Sequence, residues 1–322
     1  MAANIAEFLA VDATEPDHFV TRFDAERMGN PFVAYGGCSI GAAIQSAYQT
    51  VVDGHILYSV LGTYTAPAQA DCKLFCSVRR LRSTRNFSTR QVEVTQKLDD
   101  GSTRLCMVVL ADFHAKEPAS HLDYSAPPSK AFSPPEECRS PVEIGEDLVR
   151  RGTLSQDVFD GYRATFGLQI RFFESRFPRE GTWGHNLTGA ARGVETGQED
   201  LPIWDKTSAD WFKSKQPIPP ARPSDHFAAL GFVLDGALPF VPLIHNGQYI
   251  TDAAACASLE FALRFFVTEV DANQWFLREV KTCAGGDGRS YSEARVWDRS
   301  GKMVASMTQQ SILRPKKKPA SL

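Results

Sequence analysis

Asp235 is the carboxylate best placed for acid–base chemistry, because it follows an apolar run that ends at Leu234. Residues 225–235 have helical character and are apolar except near their ends, so the last residue would lie in a buried environment. Burial and the negative end of the helix dipole would both raise the pKa of a carboxylate there. Such a group could take a proton from water near neutral pH. A solvated or capping aspartate is the ordinary alternative at a helix end.

Histidines and cysteines show no spacing typical of a metal site. The seven histidines form no H-x-x-x-H or H-E-x-x-H pattern, and the seven cysteines form no C-x-x-C pair. Buried, reduced thiols are the expected state of the cysteines. Gly285-Gly-Asp-Gly288 is interpreted as a hairpin turn, since no strand-then-helix context surrounds it. We also expect no serine nucleophile of the G-x-S-x-G type.

The composition is that of an ordinary globular protein. The chain has 322 residues, 43% of them hydrophobic and 23% charged, with a formal net charge of −3. This balance argues against nucleic acid as the main ligand. No apolar run reaches the ~20 residues that span a bilayer, and the acidic start of the chain is unlike a secretory signal. We therefore expect a cytoplasmic location; the alternative is peroxisomal, since the terminal Ser321-Leu322 faintly resembles the S-K-L signal.

An internal repeat indicates that the chain contains two similar halves. The octet Arg85–Val92 resembles Arg289–Val296, and a turn signal and an apolar run follow each copy. Each half is predicted to end in three antiparallel strands, with a buried helix upstream, over 36–52 and 225–235. Further strands are predicted over 56–65, 167–174 and 258–267, and Ser224 or Asp225 is predicted to cap the second helix.

The predicted organisation is an α+β protein with two domains. Residues 1–117 form the first, and residues 161–322 form the second. Residues 118–160 are predicted to be a linker, because the prolines at its start exclude a regular helix or a central strand there.

These features resemble the acyl-CoA thioesterase II family, whose fold is the double hotdog. Arg85-Asn-Phe-Ser-Thr-Arg90 is similar to the family's R-x-F-S-T-R motif. In the second half, Leu230–Asp235 resembles the family's helix ending in aspartate, and Ala257–Glu260 resembles its A-T/S-hydrophobe-D strand. Val304–Gln309 resembles its closing V-A-S-x-x-Q strand. The resemblance implies two antiparallel sheets, each wrapping a central helix, fused in one chain.

The resemblance also implies a catalytic set. In the family an Asp, a Thr or Ser, and a Gln hold the attacking water, and these fall on Asp235, Ser258 and Gln309 here. The implied activity is hydrolysis of an acyl-CoA, or of an acyl-carrier thioester, at one site per chain without a metal or dissociable cofactor. Backbone N–H groups around 36–38 are the expected oxyanion donors. The residues expected to bind substrate are Gly36, Gly37, Tyr58, Tyr64, Arg85, Phe87, Ser88 and Phe261.

Departures from the family pattern leave other functions open. The strand His55–Pro67 lacks the family's second His and its Arg before Pro, and Glu260-Phe261 stands where the family has Asp-His. A second hypothesis is therefore release of a bulky, aromatic or polyketide-like acyl group from CoA or a carrier protein. A third is a protein that binds an acyl thioester or lipid-like ligand without cleaving it.

Three further features carry open interpretations. The arginines between positions 79 and 90 would form a solvated face or contact the phosphates of CoA. The insertion 177–205 would be a lid or a mobile loop. A homo-oligomer is compatible with the fold, since the edges of hotdog sheets commonly pair.

Overall fold

The computed structural model describes residues 2–316, and its centre is one antiparallel sheet of twelve strands. The terminal dipeptide considered as a targeting signal lies outside the described residues. The first half supplies β1 (Val11–Glu15), β2 (His18–Thr21), β3 (His55–Tyr64), β4 (Phe75–Ser83), β5 (Phe87–Lys97) and β6 (Thr103–Ala115). The second half supplies β7 (Phe173–Arg176), β8 (Ser208–Ser214), β9 (Ala253–Phe265), β10 (Phe276–Gly286), β11 (Arg289–Asp298) and β12 (Met303–Pro315).

In the described part of the chain, eight α-helices accompany the sheet, and two of them are long and buried. The helices are α1 (Ile5–Phe8), α2 (Gly36–Tyr48), α3 (Pro141–Arg150), α4 (Gln156–Thr165), α5 (Gly167–Phe172), α6 (Trp183–Asn186), α7 (Pro223–Leu234) and α8 (Val241–His245). Single 3₁₀ turns occur at Pro135–Glu137 and Ile250–Asp252. Within residues 2–316 no helix has the length and apolarity needed to cross a membrane.

The order of strands confirms that the two halves are duplicates. The sheet runs β1-β2-β4-β5-β6-β3 in the first half, and from its other edge β7-β8-β10-β11-β12-β9 in the second. Counted from the start of each half, both follow the order first, second, fourth, fifth, sixth, third. The repeated octets Arg85–Val92 and Arg289–Val296 overlap the fifth strand of each half, β5 and β11.

The two half-sheets are joined edge to edge, which the sequence did not indicate. Residues 59–63 of β3 pair antiparallel with residues 260–264 of β9. The predicted double hotdog is therefore confirmed in its elements and topology, but its two sheets form one continuous sheet. Pairing removes the two inner sheet edges from solvent, since each strand satisfies the unpaired backbone groups of the other.

The two central helices pack against each other in opposite directions. Near one end Gln45 of α2 donates to Asp225 of α7 at 2.8 Å. In the middle, Gly231 brings α7 close to Ile40 and Ile44. The start of α2 therefore lies at the end of α7. Neither helix has an exposed face, which explains why both are almost free of charged residues.

Several local predictions need correction. Residues 167–172 form helix α5 rather than a strand, and β7 begins only at Phe173. The N-cap of α7 is Arg222, because Pro223 occupies the first helical position, where its missing N–H costs nothing. Residues 116–134 contain no helix or strand, as the prolines predict, but α3 begins within the proline-rich stretch with a capping box at Ser140.

Candidate active site

Asp235 directly follows α7, and the end of that helix is held in place by two side chains. The hydroxyl of Tyr35 donates to the carbonyl of Phe232 at 2.5 Å, and Arg278 donates to the carbonyl of Val233 at 2.8 Å. These bonds add donors to carbonyls of the last helical turn, where regular helical partners are missing; the Val233 carbonyl also accepts the N–H of Gly236 at 3.3 Å. Because the last turn of α7 is fixed in this way, the carboxylate of Asp235 has a defined position.

Arg278 is itself held by a buried ion pair with Asp210. Its Nε and Nη2 donate to the two carboxylate oxygens of Asp210 at 2.8 and 3.0 Å. Both side chains are almost completely buried. Because the guanidinium is oriented by two bonds, its third nitrogen is directed at the end of α7.

Two side chains from different halves donate to Asp235. Gln309 of β12 donates through Nε2 to Oδ1 at 2.8 Å, and the hydroxyl of Tyr64, the last residue of β3, donates to the same oxygen at 3.2 Å. Asp235 is 5% exposed and Gln309 is fully buried. The arrangement leaves Oδ2 of Asp235 and Oε1 of Gln309 as acceptors for a further group.

Burial raises the pKa of Asp235 to about 6. The bonds from Gln309 and Tyr64 and the N–H of Gly37 act in the opposite direction, because each favours the ionised carboxylate. Burial also raises the pKa of Tyr64 well above its ordinary value, so this hydroxyl stays protonated as a donor. A carboxylate with this pKa is ionised at neutral pH and can still accept a proton.

The start of α2 lies against Asp235 and changes the electrostatic argument made from the sequence. A Cβ on Gly36 would lie 2.6 Å from Oδ2 of Asp235 and 2.6 Å from the Tyr64 hydroxyl. A Cβ on Gly37 would lie 2.5 Å from the carbonyl of Phe232. The positive end of α2 therefore opposes the negative end of α7 at Asp235, and burial is the main cause of the raised pKa.

A cavity of about 440 Å³ opens at this carboxylate. Its wall is mostly apolar or aromatic, and Asp235 is the only ionisable acid or base of the Asp, Glu, Lys, Arg or His type among its lining residues. Gly36, Tyr64, Asp235 and Ser258 all contribute to this wall. Its size is typical of a small-ligand site.

Ser258 is separated from the other two predicted catalytic residues. It lies on β9 opposite Ser311 of β12, whereas Gln309 lies opposite Phe261. Its hydroxyl makes no hydrogen bond with Asp235 or Gln309 among the described contacts. The structure therefore brings Asp235 and Gln309 into direct contact and places Ser258 on the wall of the cavity at which Asp235 opens.

Phe261 and Tyr58 do not line this cavity, contrary to their predicted role in substrate binding. Phe261 is buried behind Tyr64, with their ring centroids 5.8 Å apart, and it packs against Gly62. Tyr58 contacts His114, with ring centroids 5.4 Å apart. Phe261 thus supports Tyr64 from behind.

Arg85, Phe87 and Ser88 lie at the other end of β3. His55, which begins that strand, bonds through its two ring nitrogens to the hydroxyl of Ser88 at 3.0 Å and the carbonyl of Arg85 at 3.1 Å. Tyr64 ends the same strand nine residues later, which corresponds to about 30 Å. The R-x-F-S-T-R motif therefore fixes the start of β3, and its residues do not reach the cavity.

The arginine-rich segment that contains this motif has mixed roles. Arg90 is 2% exposed and donates to the hydroxyl of Thr50 at 2.8 Å. Arg80 pairs with Asp17 at 2.7 Å, and Arg82 lies over the ring of Phe87. None of the arginines between 79 and 90 lines the cavity.

Two features of the site were missed in the sequence. Residues 37–41 spell G-x-S-x-G, so the expectation that this pattern is absent was wrong. However, Ser39 lies in the first turn of α2, and no strand leads into that helix, so the residue does not form a nucleophile elbow. It lines the cavity instead. The second feature is the bond from Tyr64 to Asp235, which joins residues from different halves.

The insertion 177–205 forms a separate, smaller cavity. It contains α6 and, with His245 and Lys206, lines a space of about 220 Å³ that shares no residue with the larger cavity. In the range 2–316 there is no group of three or more His, Cys, Asp or Glu side chains arranged to hold a metal ion.

Comparison with known protein families matches both halves. Residues 25–114 match the acyl-CoA thioesterase N-terminal domain, and residues 169–313 match the acyl-CoA thioesterase C-terminal domain. The two matches together account for most of the chain and leave out the segment between the halves.

Solved structures share the fold over nearly the whole chain at low sequence identity. The acyl-CoA thioesterase II TesB2 from Mycobacterium marinum is 19% identical, with a TM-score of 0.70 over 97% of this chain and 99% of that chain. The tesB protein of Mycobacterium avium subspecies paratuberculosis is 16% identical, with a TM-score of 0.65 over 97% and 98%. A protein of unknown function with a hot dog fold from Alicyclobacillus acidocaldarius is 14% identical, with a TM-score of 0.67 over 98% and 100%.

Proposed function

Since this chain belongs to the acyl-CoA thioesterase family of thioester hydrolases, we propose that it cleaves acyl-CoA to a free acid and CoA at Asp235. The observation that carries this proposal is a buried carboxylate at the wall of an apolar cavity, Asp235, whose pKa burial raises to about 6 and to which the amide of Gln309 donates. A thioester seated in that cavity would meet the carboxylate of Asp235 at its reacting carbon, with Gln309 behind that carboxylate.

In the proposed reaction, Asp235 acts as the general base for water. Water bound at Oδ2 of Asp235 attacks the thioester carbon and gives one proton to Asp235. The tetrahedral intermediate then collapses, the carbon–sulfur bond breaks, and the proton on Asp235 passes to the departing sulfur. The carboxylate is thereby restored, and no covalent intermediate with the protein is required.

Gln309 and Tyr64 orient the base, and Ser258 acts at the cavity wall. Both donors use Oδ1 of Asp235, which keeps Oδ2 available for water. We assign to Ser258 a hydrogen bond to the same water or to the thioester, because its side chain lines the cavity at which Asp235 opens.

The start of α2 offers donors for the oxyanion. The N–H of Cys38 donates to the carbonyl of Tyr35 at 3.0 Å, and the N–H of Gly37 favours the ionised form of Asp235. The N–H of Gly36 and the hydroxyl of Ser39 are the remaining donors of this turn at the cavity wall. We assign oxyanion stabilisation to these two groups.

The wall of the cavity favours an uncharged acyl group. Lining side chains such as Phe166, Phe240, Ile250 and Leu259 are apolar, and no lysine or arginine is among them. The acyl portion would therefore bind here, and the phosphates of CoA would bind outside. The aromatic residues of the wall also keep open the alternative of a bulky or aromatic acyl group, on CoA or on a carrier protein.

Release of free thiol from a panel of thioesters tests the proposal. The panel contains short, long and aromatic acyl-CoAs, the matched acyl-carrier thioesters, and an acyl-CoA with a terminal carboxylate as a charged control. We expect turnover of uncharged acyl-CoAs and little turnover of the charged one. Turnover of carrier thioesters alone would favour the alternative substrate, and binding of acyl-CoA without any thiol release would refute hydrolysis.

A further inference from the structure

Three serines on the inner face of β11 and β12 form a buried polar cluster beside Gln309. Ser290, Ser292 and Ser311 are 3%, 1% and 1% exposed, and their hydroxyls have no hydrogen-bond partner among the described residues. The Oε1 of Gln309 is also buried without a partner. We call the three serines the buried hydroxyl cluster.

The register of the strands places these four side chains next to each other. Ser290 lies opposite Ser311, and Ser292 lies opposite Gln309. Residues two apart on one strand share a face, so the two pairs are adjacent on the same side of the sheet. Side chains of directly paired residues have Cβ atoms about 5 Å apart, a separation that one water molecule can bridge.

The cluster suits water and leaves no place for an acyl chain. Buried hydroxyls without partners are unfavourable, and buried water in proteins typically bonds to about three such groups. The larger cavity reaches Ser258, the neighbour of Ser311 on β9, but includes none of the three serines and not Gln309. The larger cavity therefore does not extend to the cluster, and a group that bonds to these hydroxyls would have the size of a water molecule.

Water at this position would determine the orientation of the Gln309 amide. The two ends of an amide are almost the same size, so its orientation depends on its hydrogen-bond partners. Nε2 must point towards Asp235 to donate to the carboxylate. During turnover the protonated carboxyl could instead donate to an amide that has flipped. A donor held at Oε1 prevents that flip.

We propose that Ser290, Ser292 and Ser311 are positioning residues that hold buried water against Oε1 of Gln309 and so keep its Nε2 directed at Asp235. The kinetic consequence of this inference rests on the proposed function, whereas the presence of bound water does not. The serines touch neither the substrate nor the reacting atoms.

The other ionisable groups around Asp235 do not titrate in the pH range over which Asp235 itself changes charge. Tyr35 and Cys38 face it from the start of α2, Tyr64 from β3, and Arg278 binds the preceding turn of α7 from β10. Burial raises the pKa of both tyrosines well above ordinary values and that of Cys38 to about 12. The acid limb of the pH profile therefore reports Asp235 and its partners.

The test compares Ser292→Ala, Ser311→Ala and the double variant with Ser306→Ala. Ser306 lies on β12 but on the opposite face, opposite Arg264 and Arg295, so it is a matched control. With the best acyl-CoA substrate, we expect the acid limb of kcat/KM in the double variant to move up by about half a pH unit or more, because Asp235 loses a well-oriented donor. We expect kcat to fall more than KM changes, and Ser306→Ala to match the wild type.

Thermal unfolding of the same variants tests the bound water without reference to activity. If the hydroxyls bind water, replacing them removes hydrogen bonds and lowers the melting temperature. If they are truly unpartnered, alanine removes a buried polar group and raises it. A raised melting temperature, or an acid limb that coincides with that of the wild type, would overturn the inference. Absence of thioesterase activity in the wild type would refute the proposed function, and the melting comparison would still decide whether the cluster holds water.

Discussion

Replacing Tyr64 by phenylalanine tests how the charge of Asp235 is controlled. The change removes the hydroxyl that donates to Oδ1 at 3.2 Å and keeps the ring that packs against Phe261. This hydroxyl favours the ionised carboxylate, so its loss raises the pKa of Asp235 further above its ordinary value. The acid limb of kcat/KM should therefore move to higher pH.

The size of the shift follows from the length of the bond. A hydrogen bond to a charged group contributes about 1.5–3 kcal/mol, and one of 3.2 Å is long for a hydroxyl donor, so we use the lower end of that range. Since one pKa unit corresponds to about 1.4 kcal/mol, the pKa of Asp235 should rise by about one unit. At pH 6 the ionised fraction then falls about fivefold, whereas at pH 8 it hardly changes.

The assay is thiol release at subsaturating acyl-CoA, between about pH 5 and pH 9. Tyr58→Phe is the matched control, because its side chain contacts His114 and does not line the cavity. An equal loss of activity by Tyr64→Phe at all pH values, or an unshifted acid limb, would refute the argument that this hydroxyl controls the protonation of Asp235.

Three further predictions concern the positioning of the site. Gly36→Ala should lower kcat by about 100-fold with an unchanged circular dichroism spectrum, because the added Cβ would lie 2.6 Å from Oδ2 of Asp235. Gly161→Ala is the control and should keep full activity, because a Cβ there would have no heavy atom within 4 Å. Arg278→Met should lower the free energy of unfolding in urea by about 3–5 kcal/mol by stranding Asp210, and Asp210→Leu in the same chain should recover much of that loss. Asp235→Asn should raise the free energy of unfolding at pH 8 by up to about 3 kcal/mol and change it little at pH 4. The reason is that ionisation of the buried Asp235 destabilises the native state as pH rises from 3.8 through about 6. An equal effect at both pH values would contradict the raised pKa assigned to Asp235.

The duplicated topology could be predicted from the sequence because it depends on local patterns. The octets Arg85–Val92 and Arg289–Val296, with their turns, identify equivalent strands, and the uncharged segments identify buried helices. The direct pairing of β3 with β9 could not be predicted in this way. It joins residues about 200 positions apart, and no turn between them fixes their register.

The residues of the site could also be predicted from the sequence only in part. Asp235 and Gln309 were identified by resemblance, and the structure brings them into contact. The placement of Arg85 was wrong, because a motif on a hairpin does not reveal which end of the neighbouring strand faces the cavity. Tyr64 was expected to bind substrate, but its bond to Asp235 depends on how the two halves pack, which no local pattern encodes.

The most direct test of the central claim is thiol release from an acyl-CoA by the wild type and by Asp235→Asn, with both proteins folded. The asparagine keeps the shape of the side chain but cannot accept the proton from water. If Asp235 is the base, the variant should lose about 100-fold or more in kcat and still bind the substrate. Equal turnover by the two proteins would contradict the assignment of Asp235 as the base.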